Sequence, residues 1–297
     1  MRVLVAGGTG AIGRPLMRAL AEAGHEAVAA SRSSESVPMD ALDAAAVDRA
    51  VANARPEAIV NQLTAIPDPI DPRRMEQQFE PTNRLRREGT ANLIAAAREH
   101  GVRRVISQSV AFAYAPTDHS VWTEDDRLFT EAGGIVRAVE ALEQQTLETE
   151  GVEGVVLRYG FFYGPGTTYA PGGGTAEAVR KRQFPIIGRG SGMFPFIHID
   201  DAAAATAAAL ERDAPGVFNI VDDDPAPLRE YLPELARALG AKRPFRVPQL
   251  VGRLAAGRLV VHYATALQPV SNEKAKRELG WRPRWPSWRQ GFRDALG

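Results

Sequence analysis

The strongest chemical signal in the chain is the glycine-rich run GGTGAIG at residues 7–13. It follows the aliphatic stretch 2–6 and precedes Leu16, Leu20 and Ala23 at helical spacing, so a buried strand is expected to break into a turn that opens a helix. Gly7 permits the sharp turn, Gly10 leaves no Cβ between backbone and ligand, and Gly13 lets the helix sit close on the strand. With Ala11 and Ile12, these residues offer free N–H groups at a helix start, where the helix dipole also favours an anion. The chemistry expected here is the binding of a dinucleotide pyrophosphate.

The end of the second predicted strand, residues 25–31, selects the dinucleotide. An acid at that point would bind both ribose hydroxyls of NAD and repel the additional phosphate of NADP. The chain has Ser31, Arg32 and Ser33 there instead. Arg32 can pair with a 2′-phosphate and stack on adenine while the serines donate to the same oxygens, so NADP is the expected cofactor. Asp40 and Ala41, after a third strand at 37–39, are expected along the adenine edge. Leu63, Thr64 and Ala65, at the end of a fourth strand over 57–63, should pass the ribose. Gln108 and Tyr159, near the ends of later strands, complete the expected cofactor set.

The elements that must position these groups alternate strand and helix: strands at 2–6, 25–31, 37–39, 57–63, 102–107 and 155–158, with helical spacing over 42–54, toward 100 and over 134–149. That order predicts an α/β fold with a doubly wound parallel sheet. The irregular, polar segment 111–131 is expected to lie over the sheet's carboxyl edge, and 171–174 to form a flexible lid. Residues 196–201 and 216–221 read as strands, 228–239 and 273–279 as helices. We expect a dinucleotide-binding domain over 1–165, joined again by 196–221, and a smaller substrate-binding lobe from 166–195 and 222–297.

Composition narrows the function further. The 297 residues are 44% hydrophobic, enough for one large α/β domain with a smaller partner. Lys+Arg and Asp+Glu are both 36, a balance that argues against a nucleic-acid partner. There is no cysteine, which removes disulfides, thiol catalysis and thiolate metal sites, and no metal is expected. No leader precedes the first strand and no stretch approaches a membrane span, so a cytoplasmic protein is expected.

Several stretches together resemble the extended short-chain dehydrogenase/reductase family of NAD(P)-dependent epimerases, dehydratases and reductases. They are GGTGAIG, EGTANLIAAAREHGVRRVISQS at 88–109, LRYGFFYGPG at 157–166, FIHIDD at 196–201 and NEKAKRELGWRP at 272–283. The resemblance implies a Rossmann domain, a C-terminal substrate lobe, a cleft between them, and a homodimer through helices near 84–100 and 134–150. It also implies a catalytic tyrosine with a lysine four residues later, whose charge lowers the phenol pKa. The matching stretch, GGIVRAVEALE at 133–143, has neither: Ile135 and Val139 occupy the two positions, and Lys181 is the first lysine in the chain. Ser109 is the expected survivor of the catalytic trio. Tyr163 is the first choice for a replacement phenol, ahead of Tyr114 and Tyr169, with His119 in the cleft-facing loop. His198 reads as a structural hydrogen-bonding residue.

The same resemblance places an arginine and an aspartate, which grip nucleotide-sugar phosphates, where this chain has Phe194 and Pro195. With Phe161, Phe162 and Met193 also near the expected cleft, a neutral or aromatic small molecule fits better than a sugar diphosphate. The expected activity is NADP-dependent hydride transfer to or from a carbonyl or an activated double bond. A non-catalytic NADP-binding sensor or scaffold, and an epimerase or dehydratase that retains its cofactor, are the alternatives.

Overall fold

The computed structural model describes residues 1–296. The chain opens with β1 (Arg2–Ala6), α1 (Gly13–Glu22) and β2 (Glu26–Ser31). It continues through β3 (Val37–Pro38), α2 (Ala44–Ala54) and β4 (Ala58–Asn61). Next come α3 (Met75–Arg84), α4 (Thr90–Glu99), β5 (Arg104–Val110), α5 (Gly134–Leu147) and β6 (Glu153–Tyr159). The second half adds β7 (Phe161–Tyr163), α6 (Gly174–Arg180), β8 (Ile186–Ile187), β9 (Met193–Phe194), β10 (Phe196–His198), α7 (Ile199–Glu211) and β11 (Gly216–Ile220). It ends with α8 (Leu228–Ala238), α9 (Gln249–Ala266) and α10 (Trp288–Leu296).

The central sheet is parallel and seven-stranded, in the order β11-β6-β5-β4-β1-β2-β3. Its inner strands are buried on both faces, which is why β1 and β4 are runs of Val, Leu, Ile and Ala rather than alternating patterns. One face is covered by α1 and α7, whose small side chains at Ala202, Ala203 and Ala205 let the helices approach closely; the other is covered by α2 and α4. The strand order reverses between β1 and β4, so a crevice opens at the carboxyl ends of those two strands. A separate aromatic core brings Trp122 and Tyr163 together with Phe196, Tyr231, Trp288 and Phe292 from the second half of the chain.

Several elements differ from the sequence expectation, among them the unanticipated helices α6 and α10. The strand expected over 196–201 ends at His198, and Ile199, Asp200 and Asp201 form the first turn of α7. His198 caps that helix, its Nδ1 accepting the Asp200 N–H at 3.2 Å, and two acids in a first turn suit the helix dipole. Between α3 and α4 the expected helix winds through one π turn, Leu85–Gly89. Helix α9 was not anticipated, because its apolar residues fall on all sides and Gly257 breaks it with φ 84° and ψ 178°. Among the described residues, no helix is long and apolar enough to cross a membrane.

Candidate active site

The glycine turn is built so closely that side chains would not fit within it. A Cβ on Gly7 would lie 2.7 Å from the Gln62 carbonyl oxygen, and one on Gly13 would fall 2.6 Å from the Gly8 carbonyl carbon. A Cβ on Gly10 would meet only the Gly7 carbonyl, at 3.2 Å, so this glycine keeps its outer side open. The N–H groups of Ala11, Ile12 and Gly13 have no acceptor among the described residues, and Ile12, at the N-cap, supplies no side-chain cap. These are the features that a pyrophosphate requires, and the residues fit a dinucleotide.

At the next strand end the Thr9 hydroxyl donates to Ser31 Oγ at 3.0 Å, and Ser33 Oγ lies 3.4 Å from Ser31 Oγ. Arg32 is exposed and has no carboxylate partner among the described residues. Asp40 is exposed and accepts the Leu42 N–H at 3.0 Å, while Ala41 is buried under Gly89. Leu63 packs on that same glycine, Thr64 is exposed, and the Ala65 N–H donates to Thr82 at 3.0 Å. Gln108 keeps its Oε1 buried with no partner. Tyr159 is a correction: its hydroxyl, paired with Thr206 at 2.6 Å and Gln62 at 3.3 Å, is buried between β4 and α7 rather than offered to a cofactor. Burial drives its pKa up to about 12.

Ser109 is also a correction. Its hydroxyl donates to Glu143 Oε1 at 2.5 Å, inside the protein. Glu143 in turn accepts from Arg158 Nε and Nη2 at 2.9 and 2.7 Å, and Arg158 Nη1 donates to the Tyr114 oxygen at 2.9 Å. Tyr114 donates to Asn219 Oδ1 at 2.6 Å, and the Asn219 N–H donates to Glu124 at 2.8 Å. Burial opposes the Arg158 charge, but the hydrogen bonds and charge of Glu143 outweigh it and hold the guanidinium protonated. The serine that was expected to face substrate therefore ties β5 to α5.

Successive side chains of a strand face opposite ways, so it is Val110 that faces the other side. There it packs on Ala113, Leu128, Val136 and Val139. The lysine position of the resembling family thus lies in an apolar cluster. Ile135, the tyrosine position, lines a hollow of about 340 Å³ with Arg73, Glu76, Gly257 and Val260.

The candidate replacement phenols lie in the interior. Tyr163, a further correction, is fully buried; its ring is edge-on to Phe196, His198 and Phe292, and α10 passes so close that Gly291 has no room for a Cβ. Tyr169 is packed edge-on to Phe196, and Tyr114 belongs to the Arg158 network. His119 is held in its loop by Asp126 at 2.8 Å and the Val121 carbonyl at 2.9 Å.

What does gather beyond the carboxyl ends of β5 and β6 is an aromatic wall. Phe112 and Phe161 stack at 4.0 Å with an interplanar angle of 11°, and Tyr263 from α9 stands edge-on to both, at 5.9 and 6.3 Å. Phe194 lies behind Phe161 at 5.1 Å, whereas Phe162 turns toward Tyr159. The sequence reading missed Tyr263, because α9 lacks a periodic pattern. It also missed Arg86, although Thr82, Arg86, Thr90 and Leu93 recur at helical spacing on one buried stripe.

Comparison with known proteins agrees with this geometry. Residues 3–221 match the NAD dependent epimerase/dehydratase family. The chain is 44% identical to a 3-diazoavenalumate denitrifying reductase from Streptomyces sp, over 98% of this chain and 99% of that protein. It is 26% identical to a 2-alkyl-3-oxoalkanoate reductase from Stenotrophomonas maltophilia, over 82% and 77% of the respective chains. Among solved structures, human epimerase family protein SDR39U1 with NADPH superposes with a TM-score of 0.79 at 25% identity, covering 100% of this chain and 99% of that one. The Thermus thermophilus UDP-glucose 4-epimerase complex with NAD shares the fold, with a TM-score of 0.76 at 23% identity over 100% and 98%.

Proposed function

Because the chain belongs to the NAD dependent epimerase/dehydratase family, we propose that its own task is the NADPH-dependent reduction of a small, electron-poor aromatic molecule, a diazo compound foremost. That it is an NAD(P)-dependent oxidoreductase follows from its reductase relatives. The choice of NADPH rests on Arg32, unpaired beside Ser31 and Ser33, and is supported by the NADPH held by human SDR39U1.

The observation that carries the substrate reading is the apolar cluster of Val110, Val136 and Val139. Reduction of a ketone develops charge on oxygen and needs a proton donor beside it. Here valine and isoleucine occupy the donor positions, the Tyr114 and Tyr159 hydroxyls are paired inside the protein, and burial holds Tyr263, the phenol beside Phe112 and Phe161, well above its usual pKa and so a poor acid. An acceptor that needs no protonation suits such a site. When bound, NADPH supplies a hydride, and one hydride converts an aryl diazonium cation into the arene and dinitrogen with no proton from the protein. The protein's share is then to pack the ring against Phe112, Phe161 and Tyr263 and to keep water away with apolar walls. The relative named for denitrifying 3-diazoavenalumate supports this substrate class.

Purified protein mixed with NADPH and 3-diazoavenalumate tests the reading. Oxidation of one NADPH per dinitrogen released is expected; tight NADPH binding with no turnover of the diazo compound overturns it. A homodimer through α4 and α5 belongs to the same proposal, and the mass in solution by light scattering, double that of the chain or equal to it, decides that part.

A further inference from the structure

Three arginines crowd the junction of α3 and α4, and two of them are neutralised. Arg84 gives Glu88 two hydrogen bonds at 3.0 and 2.7 Å, and Arg87 reaches Glu80 at 2.8 Å, all on the exposed side of the helix. Arg86 lies on the inward stripe and is 6% exposed. Among the described residues it has no carboxylate within ion-pair distance, and its Nη1 is buried with no hydrogen-bond partner. A buried charge left without a counter-ion weakens the folded state, so its presence calls for an explanation beyond stability.

Its surroundings supply one. Arg86 is carried by the π turn Leu85–Gly89, an irregularity often found at functional sites. Its charge is felt by Tyr263, the ring that stands edge-on to Phe112 and Phe161. Burial lowers the Arg86 pKa only to about 10, so the guanidinium stays charged at neutral pH, while burial raises the Tyr263 phenol and keeps it neutral. An unpaired cation therefore lies near the aromatic wall, and no anion among the described residues answers it.

We propose that Arg86 binds a carboxylate on the substrate, anchoring an aromatic acid whose ring packs against the wall of Phe112, Phe161 and Tyr263. A planar guanidinium with free donors matches a carboxylate edge-on. With Arg84 and Arg87 already paired, the single charge left over matches one carboxylate better than a phosphate dianion. The assignment rests on the reductase reading above, which placed the ring against that wall, and it makes Arg86 a specificity residue rather than a participant in hydride transfer.

Binding rather than turnover separates the two. Calorimetry on the NADP⁺-loaded protein would use cinnamate and its neutral counterpart cinnamamide as probes. The wild type is expected to bind cinnamate about ten- to a hundredfold more tightly than cinnamamide. Arg86→Met should erase that preference, leave NADP⁺ affinity within about twofold, and raise the melting temperature, because a buried unpaired charge has gone. Should the methionine variant not fold, Arg86→Lys serves, with a reduced but surviving preference for the acid. Equal binding of the two probes by the wild type, or an undiminished preference in Arg86→Met, overturns the assignment. A protein that prefers cinnamate through Arg86 yet leaves 3-diazoavenalumate unreduced keeps the acid subsite and loses only the diazo substrate.

Discussion

Glu143 and Arg158 face each other across two hydrogen bonds of 2.9 and 2.7 Å in the interior, each 5% exposed, and the Ser109 hydroxyl completes the carboxylate's shell. This arrangement fixes the serine as a brace. Ser109→Ala should cost about 1 kcal/mol in urea unfolding and leave kcat within about twofold. Glu143→Ala, which strands the guanidinium, should cost about 3–5 kcal/mol. A large loss of kcat in Ser109→Ala at undiminished stability would return the serine to the reacting centre.

The glycine turn separates ligand effects from folding effects. Gly13→Ala forces a methyl group against the Gly8 backbone and should destabilise the protein by about 1–3 kcal/mol. Gly10→Ala meets only the Gly7 carbonyl at 3.2 Å, so its unfolding midpoint should hardly move while NADPH affinity falls at least about tenfold. Thermal unfolding beside fluorescence titration measures both; parallel losses in the two variants would contradict an open cradle at Gly10.

In the proposed reading, Arg32 selects between the two nicotinamide cofactors. Arg32→Ala should weaken NADPH binding by about 1.5–3 kcal/mol, the worth of a hydrogen bond to a charged group, and leave NADH almost unchanged. Equal losses for both cofactors in competition titrations would remove the basis for an NADPH preference.

Asp222 gives a pH dependence of known sign. Its Oδ2 is buried without a partner, and burial holds its pKa well above the usual carboxylate range. A raised pKa means that the folded state binds the proton more tightly than the unfolded chain. That stabilisation is complete below the unfolded carboxyl pKa and is lost as pH rises through the folded one. Asp222→Asn should therefore flatten the decline of stability with rising pH on the alkaline side of about pH 4. Urea midpoints across that range check it, and parallel curves for wild type and variant would show that Asp222 is not the source.

Much of this architecture was legible in the sequence because its signals are local. The strand, the glycines and the following helix over residues 2–22 specify one another within a few turns, and the missing acid at Ser31 and Arg32 can be read by inspection. The misread residues depend on partners far along the chain. Ser109 is claimed by Glu143, 34 residues away, and Tyr163 is walled in by Gly291 and Phe292 from the last helix. Tyr159 faces Thr206, 47 residues on. Arg86 was hidden for a different reason: it sits in a run of charges that reads as a solvated helix face, and only the pairing of Arg84 and Arg87 shows which arginine is left without a partner.

The central claim is that hydride transfer proceeds here with no side chain donating a proton. Its most direct test is the rate of a single turnover of NADPH-loaded protein with saturating 3-diazoavenalumate, measured from about pH 6 to about pH 9. The rate should be flat across that window. A rate that falls through a single ionisation within it, or one that falls at least about tenfold in Tyr263→Phe, would reveal an acid at work and contradict the account.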